Sequence, residues 1–224
     1  MAGMKGFYMV LGGIALVGTG ALWWASNGGG AGLPSDALSR AAIDAERAFP
    51  GYVEGSEDAP VELIEYADFQ CPACRQFWVL TVQDIKSRLV PTGQVRYVFR
   101  DFPLDMHPHA RVAHHAAACA SEQGSFVAMH DMLFGNQNDW GLQAGSPIRT
   151  FRGYAEQIGL DVASYDTCMT EGRYRARIQA SVENGVAQGV TGTPTLIIGG
   201  RAYGSMPYDD LKGIVDSLLA LETQ

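Results

Sequence analysis

Val61-Glu62-Leu63-Ile64-Glu65-Tyr66-Ala67-Asp68-Phe69-Gln70-Cys71-Pro72-Ala73-Cys74 is the stretch that decides how this chain is read. Val61 to Tyr66 is rich in branched and aromatic residues and predicts a strand, after which Phe77, Trp78, Val82, Ile85 and Leu89 recur at helical spacing. Cys71 therefore falls at the amino terminus of an amphipathic helix, and Cys74 lies one turn on, on the same face. Unpaired backbone N–H groups and the positive end of the helix dipole favour a thiolate there, which marks Cys71 as the attacking sulfur and Cys74 as the sulfur that closes the ring. Pro72 suits the first turn, where it forfeits no intrahelical hydrogen bond. The competing use of such a pair is half a zinc site. A zinc ribbon would supply a second close pair, whereas the remaining cysteines, Cys119 and Cys168, stand far apart, so the spacing favours dithiol redox chemistry.

Outward from this motif, 224 residues with 47% hydrophobic content suffice for one substantial core and a helical subdomain. A formal charge of −8 with only 16 basic residues argues against a nucleic-acid surface. At the amino end, Gly6 to Trp24 is uncharged and mostly apolar, and at helical rise it spans roughly 28 Å, close to a bilayer core of about 30 Å. Lys5 precedes it and Asp36 and Asp44 follow, so an anchor here puts the amino terminus in the cytoplasm and the rest outside. A cleavable signal peptide is the alternative, with small residues at Thr19-Gly20-Ala21. Either way the chain is delivered to a space where disulfides persist. Residues 26–35 have the Gly and Ser content of a flexible tether.

Alternation along the predicted strand puts Glu65 in one row with Val61 and Leu63. In a strand covered on both faces this carboxylate is poorly solvated, its pKa rises, and it becomes a candidate proton relay. The five histidines, His107, His109, His114, His115 and His130, are not read as a metal cluster, and no haem, flavin or nucleotide motif is present.

Several segments, taken in order, resemble the DsbA-like thiol-disulfide oxidoreductases of the thioredoxin superfamily. They are Gly55 to Pro60 leading into the strand and Cys71-Pro72-Ala73-Cys74, Phe102-Pro103-Leu104 with His107-Pro108-His109-Ala110, Gln123-Gly124-Ser125-Phe126, and Gly192-Thr193-Pro194-Thr195. The resemblance covers about residues 50–222. It implies an α/β thioredoxin-like fold with an inserted helical domain, preceded by the one transmembrane or signal helix. Together with the reading of the amino end, the expected boundaries are 1–25 for the anchor or signal peptide, 26–35 for the linker, 36–102 with 187–224 for the thioredoxin-like part, and 103–186 for the insertion. It further implies that Glu65 is the buried acid serving Cys74, and that Pro194 is a cis-proline with Thr193 offering backbone groups to a client peptide. Arg96 is a candidate partner for Glu65.

The implied activity is extracytoplasmic disulfide donation to reduced secreted proteins by a monomer without a cofactor. Reoxidation would fall to a membrane partner of the DsbB or vitamin-K-epoxide-reductase type. An isomerase or reductase, and a non-catalytic peptide-binding holdase, are the alternatives. Cys119 and Cys168 fall in two helices of the insertion, and an oxidising space favours their pairing; two buried free thiols are the other reading. The chain departs from the best-known DsbA proteins in having Pro-Ala rather than Pro-His between the cysteines.

Overall fold

The computed structural model describes residues 49–222. The expected anchor at 6–24 and the tether at 26–35 lie outside them. Among the described residues no helix is long and apolar enough to cross a membrane.

Five strands form one mixed sheet in the order β1-β3-β2-β4-β5: β1 (Tyr52–Glu54), β2 (Val61–Ala67), β3 (Val95–Asp101), β4 (Thr195–Ile198) and β5 (Arg201–Tyr203). Strand β2 is central, parallel to β3 and antiparallel to β4. The strand expected at Val61 to Tyr66 is thus the second in chain order and the middle one of the sheet. Strand β1 has only three residues, too few to show a period, and it lies between Gly51 at φ 107° and Gly55 at φ 114°. Both glycines press on β3: a Cβ on Gly51 would stand 2.8 Å from the Phe99 carbonyl oxygen and one on Gly55 2.8 Å from that of Val95.

Helix α1 (Pro72–Phe77) follows β2 and returns the chain to β3 through two π-helical turns, Trp78–Val82 and Ile85–Leu89. The expected regular helix is therefore wound wider after its first turns. The wider turns still bury Phe77, Val82, Ile85 and Leu89, in one cluster with Val61 and Leu63 of β2. Tyr66 packs on the other face of the sheet with Phe102 and Val190, so β2 is covered on both sides and alternates as its sequence predicts.

Between β3 and β4 the chain is helical: α2 (Ala110–Ser121), α3 (Phe126–Gly135), α4 (Gln137–Gly141), α5 (Ile148–Gln157), α6 (Val162–Glu171) and α7 (Arg175–Ala187). The alanine-rich α2 is almost wholly buried, which small side chains allow when helices approach from several sides. Asp161 caps α6 by accepting from the Ser164 N–H at 2.7 Å. The last helix, α8 (Tyr208–Glu222), buries Leu211 and Val215 in the main core. This is the expected α/β thioredoxin-like architecture with helices inserted into it.

Candidate active site

Cys71 is the N-cap of α1 and Pro72 occupies its first turn. The turn feeding the helix is held from several sides. The Cys71 N–H donates to the Asp68 carbonyl at 3.0 Å, and Gln137 of α4 donates its side-chain N–H to the carbonyls of Phe69 and Cys71 at 2.7 and 3.0 Å. Asp68 is fully buried and accepts from the N–H groups of Gln70 (2.7 Å) and Leu104 (2.8 Å), with His107 Nδ1 at 2.7 Å. Its own N–H points at the Cys74 sulfur, 3.4 Å away. The two thiols are free and buried, Cys71 retaining 7% exposure and Cys74 none.

The sulfurs occupy opposite electrostatic environments. A hydrogen bond from the Cys74 thiol, the largest cause, lowers the Cys71 pKa to about 5 against the penalty of burial, with help from Thr193 and the N–H groups of Cys74 and Ala73. Burial pushes the Cys74 thiol well up, and the charges of Cys71 and Glu65 push the same way. One sulfur is poised as thiolate and the other as thiol.

Glu65 lies on the face of β2 shared with Leu63, 1% exposed, and burial raises its pKa to about 7. The Tyr97 hydroxyl donates to its Oε2, and the nearby Lys86 charge acts downward. Arg96 does not partner Glu65. It points to the other side of the strand pair and meets Glu62 at 3.4 Å, because residues 62 and 96 stand opposite each other in the β2–β3 register. The cation that reaches Glu65 is Lys86, itself held by Glu54 at 2.8 Å.

The Thr193–Pro194 bond is cis, and the Cys71 sulfhydryl lies 3.5 Å from the Thr193 carbonyl oxygen. A groove of about 300 Å³ adjoins the pair, with Ala73, Gln76 and Leu80 on one side and Met206, Pro207 and Tyr208 on the other. Leu80 is 62% exposed at its rim. The fold thus gathers Cys71, Cys74, Glu65, Thr193 and Pro194 in one place. Cys119 and Cys168 lie elsewhere, joined to each other across α2 and α6. His115 sits beside them, but sulfurs joined to one another offer no thiolate to a metal.

Asp68, Lys86, Tyr97 and Gln137 complete the site and carry no sequence signal of a role. Asp68 alone stood within a motif, three residues before Cys71.

The thioredoxin family profile matches residues 49–217. The chain belongs to the thioredoxin family. Its fold is shared with BdbD of Bacillus subtilis, at 21% identity and a TM-score of 0.67 over 75% of this chain and 92% of that one. The thiol-disulfide exchange protein α-DsbA2 of Wolbachia pipientis matches at 21% identity and a TM-score of 0.63, over 82% and 97%. Among curated sequences, the Na(+)/H(+) antiporter NhaA 3 of Salinispora tropica is 38% identical over 159 residues, which is 70% of this chain and 23% of that protein. The chain spans about a quarter of the length of the curated relatives it matches.

Proposed function

We propose that this chain is an extracytoplasmic thiol-disulfide oxidase that donates the Cys71–Cys74 disulfide to folding client proteins. The observation that carries the reading is the opposite displacement of the two thiols, Cys71 down to about 5 and Cys74 well up. A dithiol that holds one stabilised thiolate at neutral pH favours its reduced form, so its disulfide accepts electrons readily.

In the oxidised protein a client thiolate attacks the Cys71 sulfur. The client–Cys71 bond forms, the Cys71–Cys74 bond breaks, and the electron pair leaves on Cys74. That sulfur is the poorer thiolate and takes up a proton, for which Glu65, titrating near 7, is the adjacent reservoir. A second client thiolate then attacks the client sulfur of the mixed disulfide and expels Cys71 as its stabilised thiolate. A leaving thiol of low pKa departs fast, which makes release of the oxidised client efficient. Two electrons have passed from client to enzyme.

Thr193, beside the cis-proline, offers main-chain groups for strand-like pairing with a client, and the groove at Leu80 and Met206 takes an apolar side chain. Such recognition reads little sequence and suits a broad range of unfolded chains. Residues 6–24 anchor the protein to the membrane with its amino terminus inside, residues 26–35 tether a monomeric catalytic unit, and a quinone-linked membrane protein of the DsbB or vitamin-K-epoxide-reductase type reoxidises the pair. The thioredoxin-like part is 36–102 with 187–224, and 103–186 is the helical insertion. The ion exchange named for the antiporter relatives forms no part of this reading.

Replacing Cys71 by Ser separates an enzyme from a holdase. The expected result is loss of dithiol-peptide oxidation with peptide binding retained. A Cys71→Ser protein that acts on unfolded clients as the unaltered chain does would sink the enzymatic reading.

A further inference from the structure

When a thiolate opens the Cys71–Cys74 disulfide, negative charge appears on the Cys74 sulfur, which is fully buried and out of reach of water. A disulfide sulfur cannot be protonated in advance, so the proton that Glu65 supplies follows the charge. Until it arrives, the charge has to be met by a dipole already in place. Asp68 offers one. Its N–H points at the Cys74 sulfur from 3.4 Å and acts in favour of the Cys74 thiolate.

The turn from Asp68 to Cys71 is built so that this amide is the one left for the sulfur. The N–H of Phe69 meets His114 Nε2 at 3.4 Å, that of Gln70 meets Asp68 Oδ1 at 2.7 Å, and that of Cys71 meets the Asp68 carbonyl at 3.0 Å. His114 Nδ1 stands 2.6 Å from Asp101 and carries the ring proton, which leaves Nε2 to accept. The turn is also tied from outside. Asp68 Oδ2 receives the Leu104 N–H at 2.8 Å and has His107 Nδ1 at 2.7 Å, and Gln137 holds the carbonyls of Phe69 and Cys71. These ties run to the connection between β3 and α2, to α2 and to α4, so the Asp68 amide cannot turn away without breaking buried hydrogen bonds.

We infer that the Asp68 N–H is a catalytic donor to the Cys74 sulfur as the disulfide opens, and that the Asp68 carboxylate and His107 are the positioning groups that keep it aimed. The bond from the incoming thiol to Cys71 forms, the Cys71–Cys74 bond breaks, the electron pair goes to Cys74, and the N–H holds it until the Glu65 proton arrives. A neutral sulfur, in disulfide or thiol, accepts weakly, whereas a thiolate accepts strongly. The interaction therefore strengthens as the transition state is reached, so it speeds opening and leaves the equilibrium of the pair with glutathione where it was. The inference rests on the proposed exchange at Cys71 and deepens it.

The test replaces Asp68 in the full chain by its α-hydroxy acid counterpart, which puts an ester oxygen in place of the N–H and keeps the carboxylate. The oxidised protein is mixed with excess glutathione, the opening of Cys71–Cys74 is timed by acid quench and thiol labelling, and the equilibrium constant is measured in the same buffers. Opening is expected to slow at least about tenfold while the equilibrium constant stays within about twofold. Asp68→Ala, which keeps the N–H but frees the turn, should slow opening by a smaller factor, and Asp68→Asn, which keeps an oxygen for the Gln70 N–H, should recover part of that loss. An ester chain that opens at the parental rate, or that loses rate and equilibrium equally, overturns the inference. So does a parental rate in Asp68→Ala, which decides the matter should the ester chain not fold. A parent chain whose equilibrium constant is that of a reductant would sink the oxidase reading instead, and the rates would still show whether the donor acts.

Discussion

Replacing Glu65 by Gln should make the folded protein more stable at alkaline pH, and the size of the gain follows from the site. The carboxyl is 1% exposed and its pKa is raised from 4.5 to about 7, mainly by burial. In the unfolded chain it ionises near 4.5, so between that value and 7 the unfolded state has released a proton that the folded state keeps. The stability this group contributes is complete below the unfolded pKa and is lost as the pH rises through the folded one. At about 1.4 kcal/mol for each tenfold change in acidity, the loss is about 3 kcal/mol. Gln keeps an oxygen for the Tyr97 hydroxyl and carries no charge to bury. The lowered pKa of Cys71 works in the opposite sense, since a thiolate gained on folding adds stability as the pH rises from about 5. That contribution is present in both proteins, and the repulsion between the Cys71 thiolate and Glu65 is already contained in the raised Glu65 pKa. The assay is urea unfolding of the reduced protein and of Glu65→Gln at a series of pH values. The two should agree within about 1 kcal/mol near pH 4, where both side chains are neutral. By pH 8.5 the variant should be more stable by about 3 kcal/mol. Identical pH dependence in the two proteins, or a less stable variant at pH 8.5, would refute the assignment of Glu65 as a desolvated acid.

Cys74→Ala removes the largest cause of the lowered Cys71 pKa, so the thiolate absorbance of the variant should titrate about 1–2 pH units higher than that of the reduced parent; an unchanged midpoint would assign the stabilisation to the helix terminus instead. The Cys119–Cys168 bond closes a loop of 49 residues. Replacing both cysteines by Ala should cost about 4 kcal/mol in denaturant unfolding while leaving the Cys71–Cys74 potential where it was, and a shift of that potential would show that the two disulfides are coupled.

The features legible in the sequence are those set by local periodicity and spacing. Val61 to Tyr66 alternates as a strand must, so the row of Val61, Leu63 and Glu65 follows from the residues alone, and Cys71-Pro72-Ala73-Cys74 announces its helix through Pro72 at the first turn. Strand β1 was not legible, since three residues carry no period and pairing with β3 defines them. The π-helical turns after Phe77 were hidden for a related reason: steps of three and four between apolar residues satisfy a wide turn as well as a regular one. The partners of Glu65 depend on long-range register. Arg96 sits on the right strand but faces Glu62, whereas Tyr97 reaches Glu65 through the pairing of β2 with β3, and Lys86 acts on it only once the second π-helical turn lies over the sheet. Asp68 is similar, for its donors Leu104 and His107 stand more than thirty residues away and converge on it only in the folded chain.

The reduction potential of Cys71 and Cys74 tests the central claim most directly. Equilibrating the chain with glutathione buffers and quantifying these two thiols apart from Cys119 and Cys168 should give a value well above about −180 mV, as a donor of disulfides requires. A value near about −270 mV, the range of a disulfide reductant, would contradict the oxidase account and assign the site to reduction fed across the membrane.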